Sequence, residues 1–226
     1  MKRTRLIFSG SGGQGVITAA IILAEAAVIH EGKNATQSQT YGAAARGGST
    51  RSDVIISDAE IMFPEVNQAN ILVCLTQEAY ATYKDLVRPG GIVITDSRFV
   101  TTTKKVDAKQ IELPMYQTVM EEIGKPIVFN VCMLGALLGV TEILKPPSVM
   151  EVLKSRVPED FIEMNQKALG SWHGPWGPAG SLNPLKLILG PHYFVYFGTY
   201  GFFFPTLICF AITSVFQGWR LVYSPP

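Results

Sequence analysis

An apolar strand, Leu6-Ile7-Phe8, runs into Ser9-Gly10-Ser11-Gly12-Gly13-Gln14-Gly15, and the apolar helical run Val16 to Leu23 leaves it. No other stretch restricts the fold as much. Glycines let the backbone take positive φ and let a ligand approach the main chain closely. The helix behind such a turn offers unpaired N–H groups and a partial positive charge, which suit a phosphate. Strand, turn and helix predict the opening of a nucleotide-type α/β domain. Gly10, Gly12 and Gly15 satisfy G-x-G-x-x-G, but the dinucleotide fingerprint also wants an acidic residue about 20 residues on, closing the next strand. Glu31 stands near that distance, yet it follows Ile29-His30 and reads as a solvated helix end. No Lys-Ser/Thr pair follows the turn, which excludes a P-loop. A tight turn that binds nothing is the plain alternative.

The 226 residues have room for one sizeable domain and an appendage. A net charge of +1 gives no reason to expect nucleic acid as a partner. Cys74, Cys132 and Cys209 lack C-x-x-C spacing, which argues against a four-thiolate metal or cluster site and suits a reducing, cytoplasmic setting. The basic start Met1-Lys2-Arg3-Thr4-Arg5 precedes an apolar run that glycines interrupt at once, unlike a signal peptide.

Composition breaks near Gly170. The last of the 18 acidic residues is Glu163, and beyond Gly170 only Lys186 and Arg220 are charged. We therefore divide the chain into a body, 1–170, and an atypical Gly/Pro/aromatic-rich apolar tail, 171–226. Residues 187–219 are uncharged and long enough to span a bilayer, but Gly190-Pro191, Gly198, Gly201 and Pro205 interrupt them. The tail is open to three readings: disordered, membrane-associated or frame-shifted. On the last, Gly170 to Gly174 can be encoded so that losing one base gives Glu-Ala-Gly-Met.

In the body, the pattern predicts a first helix from Gly15 to Glu31, an exposed loop from Asn34 to Thr50 and a strand from Ser52 to Ser57. Buried strands follow at Ile71–Leu75 and Ile92–Asp96, with a further strand at Ile111–Leu113. Between the first two, Thr76 caps a helix through Val87 that Arg88-Pro89-Gly90-Gly91 ends. Later helices are expected at Met115–Ile123, Phe129–Leu144, Ser148–Arg156 and Glu159–Leu169. The alternation implies a Rossmann-like open, mainly parallel sheet flanked by helices. Ligands in such sheets sit at the carboxyl ends of strands, where Gly10–Gly15, Leu75-Thr76-Gln77 and Asp96-Ser97 would share one crevice.

The polar run Gln37-Ser38-Gln39-Thr40-Tyr41-Gly42, followed by Arg46-Gly47-Gly48, is the second signal. Amides, hydroxyls and a guanidinium fork suit holding a phosphorylated ligand or docking a partner; a solvated loop is the alternative. Catalytic and metal constellations are missing from the pattern. His30 is the only histidine in the body, Ser9 and Ser11 have no evident base, and Asp53, Asp58 and Asp96 stand singly. Asp96 is the best carboxylate for a ribose or hydroxyl contact, with a turn or cap role favoured over it. The chain reads as a binder more than a catalyst.

Gly12-Gly13-Gln14-Gly15-Val16 after a strand, Gln37 to Gly42, Arg46-Gly47-Gly48, Ser57-Asp58 with Ile61, Phe129-Asn130 and Gly135-Ala136 occur here in order. Over about Lys2 to Gly170 the sequence resembles the gamma subunit of 2-oxoacid:ferredoxin oxidoreductases. The resemblance implies oxidative decarboxylation of a 2-oxoacid with CoA to acyl-CoA, carbon dioxide and reduced ferredoxin. It implies thiamine diphosphate, Mg and iron–sulfur clusters on alpha, beta and ferredoxin-like delta partner subunits only. CoA would be bound in part here, by Gly10, Gly12, Gly13, Gln14 and Gly15, with Gln37, Ser38, Gln39, Thr40, Tyr41, Arg46, Gly47 and Gly48. Relatives use pyruvate, 2-oxoglutarate, branched-chain oxoacids or indolepyruvate, and a separate gamma chain leans towards 2-oxoglutarate. The alternatives are a free-standing NAD-dependent oxidoreductase, against which the missing ribose carboxylate argues, and a purely structural assembly subunit.

Overall fold

The computed structural model of the chain describes residues 3–40 and 49–172. Tyr41, Arg46, Gly47, Gly48 and the tail expectations for 173–226 lie outside the described residues. Six strands form one sheet: β1 (Arg3–Ser11), β2 (Asn34–Thr40), β3 (Ser49–Ser57), β4 (Ala69–Cys74), β5 (Val87–Asp96) and β6 (Ala108–Leu113). Their order is β2-β3-β1-β4-β5-β6. Strands β1, β4, β5 and β6 run parallel, whereas β3 is antiparallel to both β1 and β2. The helices are α1 (Val16–Glu25), α2 (Gln77–Tyr83), α3 (Met115–Glu122), α4 (Phe129–Thr141), α5 (Pro146–Arg156) and α6 (Ile162–Gly170). The architecture is the expected Rossmann-like α/β one.

Central strands are apolar on both faces because both are covered. On one face Ile7, Ile55, Leu72 and Val93 pack with Ala79 and Tyr80 of α2. On the other, α1 crosses β1, β2 and β3 and meets α4 and α5. Helix α4 is buried nearly all round, from Phe129 to Leu138, and so lies at the centre of the helical layer. Two of its glycines admit the chain's later backbone. A Cβ at Gly135 would collide with the Leu169 carbonyl, and one at Gly139 would lie 2.6 Å from the Trp172 oxygen. Trp172 is 1% exposed, and its Nε1–H donates to Cys132 Sγ at 3.0 Å.

Four expectations need correction. Asn34 to Thr50 is not one loop: 34–40 form edge strand β2, and β3 begins at Ser49. The strand has no apolar alternation because it has one neighbour and is largely exposed. The first helix ends in a π-helical turn, Ala26–His30. Helix α2 stops at Tyr83 and passes through a 3₁₀ turn, Lys84–Leu86. Arg88 to Gly91 then belong to β5, bulging opposite Asn70 between the pairs Ala69↔Val87 and Ile71↔Ile92. A bulge tolerates Pro89, which has no N–H for the ladder. Among the described residues no helix is long and apolar enough to cross a membrane.

Candidate ligand site at the glycine turn

The turn after β1 is held by its own side chains. Gln14 Oε1 accepts the Ser11 N–H at 2.8 Å, and the Ser9 hydroxyl donates to the Thr50 carbonyl at 3.0 Å. Gly10 is a packing glycine, since a Cβ there would press on Gln14, Val16 and Leu75. Gly12 and Gly13 differ: a Cβ at either would meet nothing within 4 Å, so their backbone faces open space. Gly13 and Gly15 have φ of 89° and 70°, values that side chains disfavour. Gly15 is also pressed by Asn130, whose amide nitrogen would lie 2.6 Å from an added Cβ.

A cavity of about 380 Å³ opens beside the turn, lined by Gly13, Gln14, Gly15, Phe99, Tyr116, Pro126, Ile127, Phe129 and Asn130. Helices α1 and α4 both begin at it. Neither has a side-chain cap or an acidic residue in its first turn. The free N–H groups and partial positive charge at the start of α1 favour an anion there, whereas α4 continues a 3₁₀ turn, Pro126–Val128, whose Pro126 carbonyl accepts the Phe129 N–H. The opposite wall is aromatic: Phe99, Tyr116 and Phe129 meet edge to face, with centroids 5.2–6.4 Å apart. The exposed Arg98 guanidinium lies over two of these rings, 5.0 Å from the Tyr116 centroid, adding positive charge at the rim.

Helix α3 also starts here, but Asp96 occupies its N-terminus. The fully buried carboxylate accepts the Tyr116 N–H at 2.7 Å and the Arg98 N–H at 2.8 Å. Burial pushes its pKa above the ordinary carboxylate value against those hydrogen bonds. It is spent on cap and turn, as favoured over a ribose contact. The third segment expected in the crevice, Leu75-Thr76-Gln77, adjoins the end of β1 without lining the cavity: the Leu75 N–H donates to the Ser9 carbonyl, and Gln77 Oε1 accepts the Thr101 N–H at 2.7 Å.

Of the residues singled out in the sequence, Gly13, Gln14 and Gly15 line the cavity, while Gly10 and Gly12 complete its turn. Gln37, Ser38, Gln39 and Thr40 lie on β2, beyond β3, and do not line it. Gln37 donates to the Ser52 hydroxyl at 2.8 Å, and that hydroxyl donates to the Ser38 carbonyl. Thr40, paired to Arg51 and so level with Ser9, brings the strand's end to the pole of the glycine turn. Glu31 sits at the other pole, about 22 Å along the first helix, where it binds Lys33 and the Lys145 N–H. It cannot serve a ribose at the turn. The aromatic wall was missed because its residues are far apart in sequence; Asn130 opening a helix was the one visible signal. The described residues hold no cluster of His, Cys, Asp or Glu suited to a metal.

Residues 5–171 match the family described as pyruvate ferredoxin/flavodoxin oxidoreductase. The chain is 44% identical to 2-oxoglutarate synthase subunit KorC of Methanocaldococcus jannaschii, across 72% of this chain and 88% of that one. It is 31% identical to ketoisovalerate oxidoreductase subunit VorA of Methanothermobacter thermautotrophicus, across 73% of this chain but 35% of that one. The crystal structure of a keto/oxoacid ferredoxin oxidoreductase gamma subunit from Geobacter sulfurreducens superposes with a TM-score of 0.69 at 39% identity, covering 75% and 93% of the two chains. Sequence match and shared fold thus agree along the whole body, and the chain belongs to the gamma subunits of the 2-oxoacid:ferredoxin oxidoreductases.

Proposed function

We propose that this chain supplies part of the CoA-binding surface of its oxidoreductase complex, and that the complex converts 2-oxoglutarate and CoA to succinyl-CoA and carbon dioxide while reducing ferredoxin. One observation carries the ligand reading: the uncapped N-terminus of α1 meets an open glycine backbone at one cavity. The CoA pyrophosphate lies against Gly12 to Gly15 and the start of α1, with Asn130 and α4 on its far side. Arg98 adds charge, and the aromatic wall offers apolar surface to the rest of the molecule. Gly10 and Gln14 shape the turn; Gln37, Ser38, Gln39 and Thr40 stay on the edge strand, and Tyr41, Arg46, Gly47 and Gly48, which follow it in the sequence, are assigned to CoA or to a neighbouring subunit. CoA is a thiol co-substrate, and the chain's part is to bind and orient it.

Alpha, beta and ferredoxin-like delta subunits hold thiamine diphosphate, Mg and the clusters, so the isolated chain does not turn over. The body, 1–170, is the functional domain and 171–226 an appendage. The substrate assignment is supported by 44% identity to a chain named for 2-oxoglutarate, against 31% to one named for ketoisovalerate. Titrating CoA and NAD against the complex and the isolated full chain tests the site. CoA should bind the complex, NAD should not, and Gly13→Ala should weaken CoA at least tenfold, about 1.4 kcal/mol. Unchanged CoA affinity in Gly13→Ala would sink the ligand assignment.

A further inference from the structure

Arg98 is the cation at the rim of the cavity. Its guanidinium makes no hydrogen bond or ion pair among the described residues. It rests over two aromatic rings instead, 5.0 Å from the Tyr116 centroid and 5.8 Å from that of Phe99. Both rings line the cavity. Asp96 stands close enough for the cation to favour its charge, but its two oxygens accept the backbone N–H groups of Arg98 and Tyr116. The carboxylate therefore fixes where these two residues stand and leaves the guanidinium fork unused. A cation seated over ring faces is held by their quadrupoles and keeps its N–H groups for a ligand.

Arginine forks pair bidentately with phosphate, and a terminal phosphate offers three oxygens and about two negative charges. In dinucleotide sites a carboxylate reads the free ribose hydroxyl, whereas an arginine accepts a phosphorylated ribose. This cavity is of the second kind. Asp96 is spent on backbone, Glu31 lies at the other pole, and the cation remains. CoA carries one phosphate more than dephospho-CoA, on the ribose 3′-oxygen. We infer that Arg98 reads this 3′-phosphate and sets the preference for CoA over nucleotides with an unphosphorylated ribose. The inference rests on the CoA reading above and adds to it a residue that decides specificity. The diphosphate stays with Gly12 to Gly15, while the 3′-phosphate lies at the aromatic wall. Two different devices thus hold the anionic groups, main-chain N–H groups for one and a side-chain fork for the other.

Calorimetric titration of the assembled complex with CoA, dephospho-CoA and NADP tests it. Wild type should bind CoA at least about tenfold more tightly than dephospho-CoA, the measure of one charge-assisted pair. Arg98→Gln should bring that ratio within about twofold of unity and leave the dephospho-CoA affinity as it was. Arg98→Lys should keep part of the ratio, because a point charge replaces the fork. That variant also decides the matter where Arg98→Gln fails to fold. Lys125, the exposed residue before Pro126, is the control for charge alone. Lys125→Gln should keep the ratio within about twofold of the wild-type value. Equal wild-type affinity for CoA and dephospho-CoA, or a ratio untouched by both Arg98 variants, overturns the proposal. So does an Arg98→Gln change that lowers recovery of the other subunits with the ratio intact, which would give the fork a partner's carboxylate. NADP binding as tight as CoA and lost in Arg98→Gln would make the ligand a phosphorylated dinucleotide and overturn it as well. Failure of the CoA assignment to the turn looks different: Gly13→Ala would leave CoA affinity unchanged while the ratio still answers to Arg98. Binding of neither CoA nor dephospho-CoA sinks both readings.

Discussion

Gly15 answers to two constraints, a left-handed backbone and the Asn130 side chain against its Cα. Left-handed conformation costs a non-glycine residue about 1–2 kcal/mol, and the crowded amide adds to that. Gly15→Ala should therefore destabilise the chain by about 2–4 kcal/mol, measured by denaturant unfolding. Gly13 faces open space, so Gly13→Ala should cost only the backbone strain, about 1–2 kcal/mol. Combining Gly15→Ala with Asn130→Ala should recover the crowding and leave the strain, a non-additivity that a double-mutant cycle reads directly. Full additivity would show that Asn130 does not press on Gly15. The turn itself was legible from its glycine spacing. Its opposite wall was not, because Phe99, Tyr116 and Asn130 become neighbours only when three helices start at one place.

At the level of elements, α4 and α6 come into backbone contact where Gly135 meets Leu169. Gly135→Ala pushes a methyl into the Leu169 carbonyl, which cannot rotate away, so a loss of about 1–3 kcal/mol is expected from overpacking. Thermal unfolding should fall by several degrees, about 2–4 °C per kcal/mol for a domain of this size. A second junction depends on pH. Burial raises the Glu31 pKa, but the Lys145 N–H and the Lys33 ammonium outweigh it, and the folded value lies below the usual 4.5. Its stabilisation is therefore present above pH 4.5 and lost as pH falls below that value through the folded pKa. Glu31→Gln should be less stable than wild type at neutral pH, with the difference shrinking in acid; a constant difference would mean the charge is irrelevant. Apolar runs made β1, β4 and β5 readable because they are buried on both faces. Strand β2 was hidden for the converse reason: Asn34 to Thr40 pair with β3 through the backbone ladder and polar side-chain bonds such as Gln37 to Ser52, and a polar edge strand carries no apolar period.

At the scale of the whole molecule, the packed body continues past the compositional break. Beyond Gly170 only Lys186 and Arg220 are charged. Composition averages over many residues, whereas packing is decided by single ones, and Trp172 is completely buried on α4 two residues later. Its ring fills space beside Cys132, whose thiol burial pushes up to about 12, and its indole N–H is satisfied only by that sulfur. A chain ending at Gly170 leaves that space empty. Loss of a buried tryptophan costs about 3–5 kcal/mol, a large fraction of a typical domain's stability of about 5–15 kcal/mol. A chain ending at Gly174 keeps the ring and moves the terminal carboxylate away from it. Urea unfolding of both truncations should place the shorter one below the longer by that amount, and Trp172→Ala in the full chain should match the shorter. Equal stability of the two truncations would mean that the body closes without Trp172, at the compositional break.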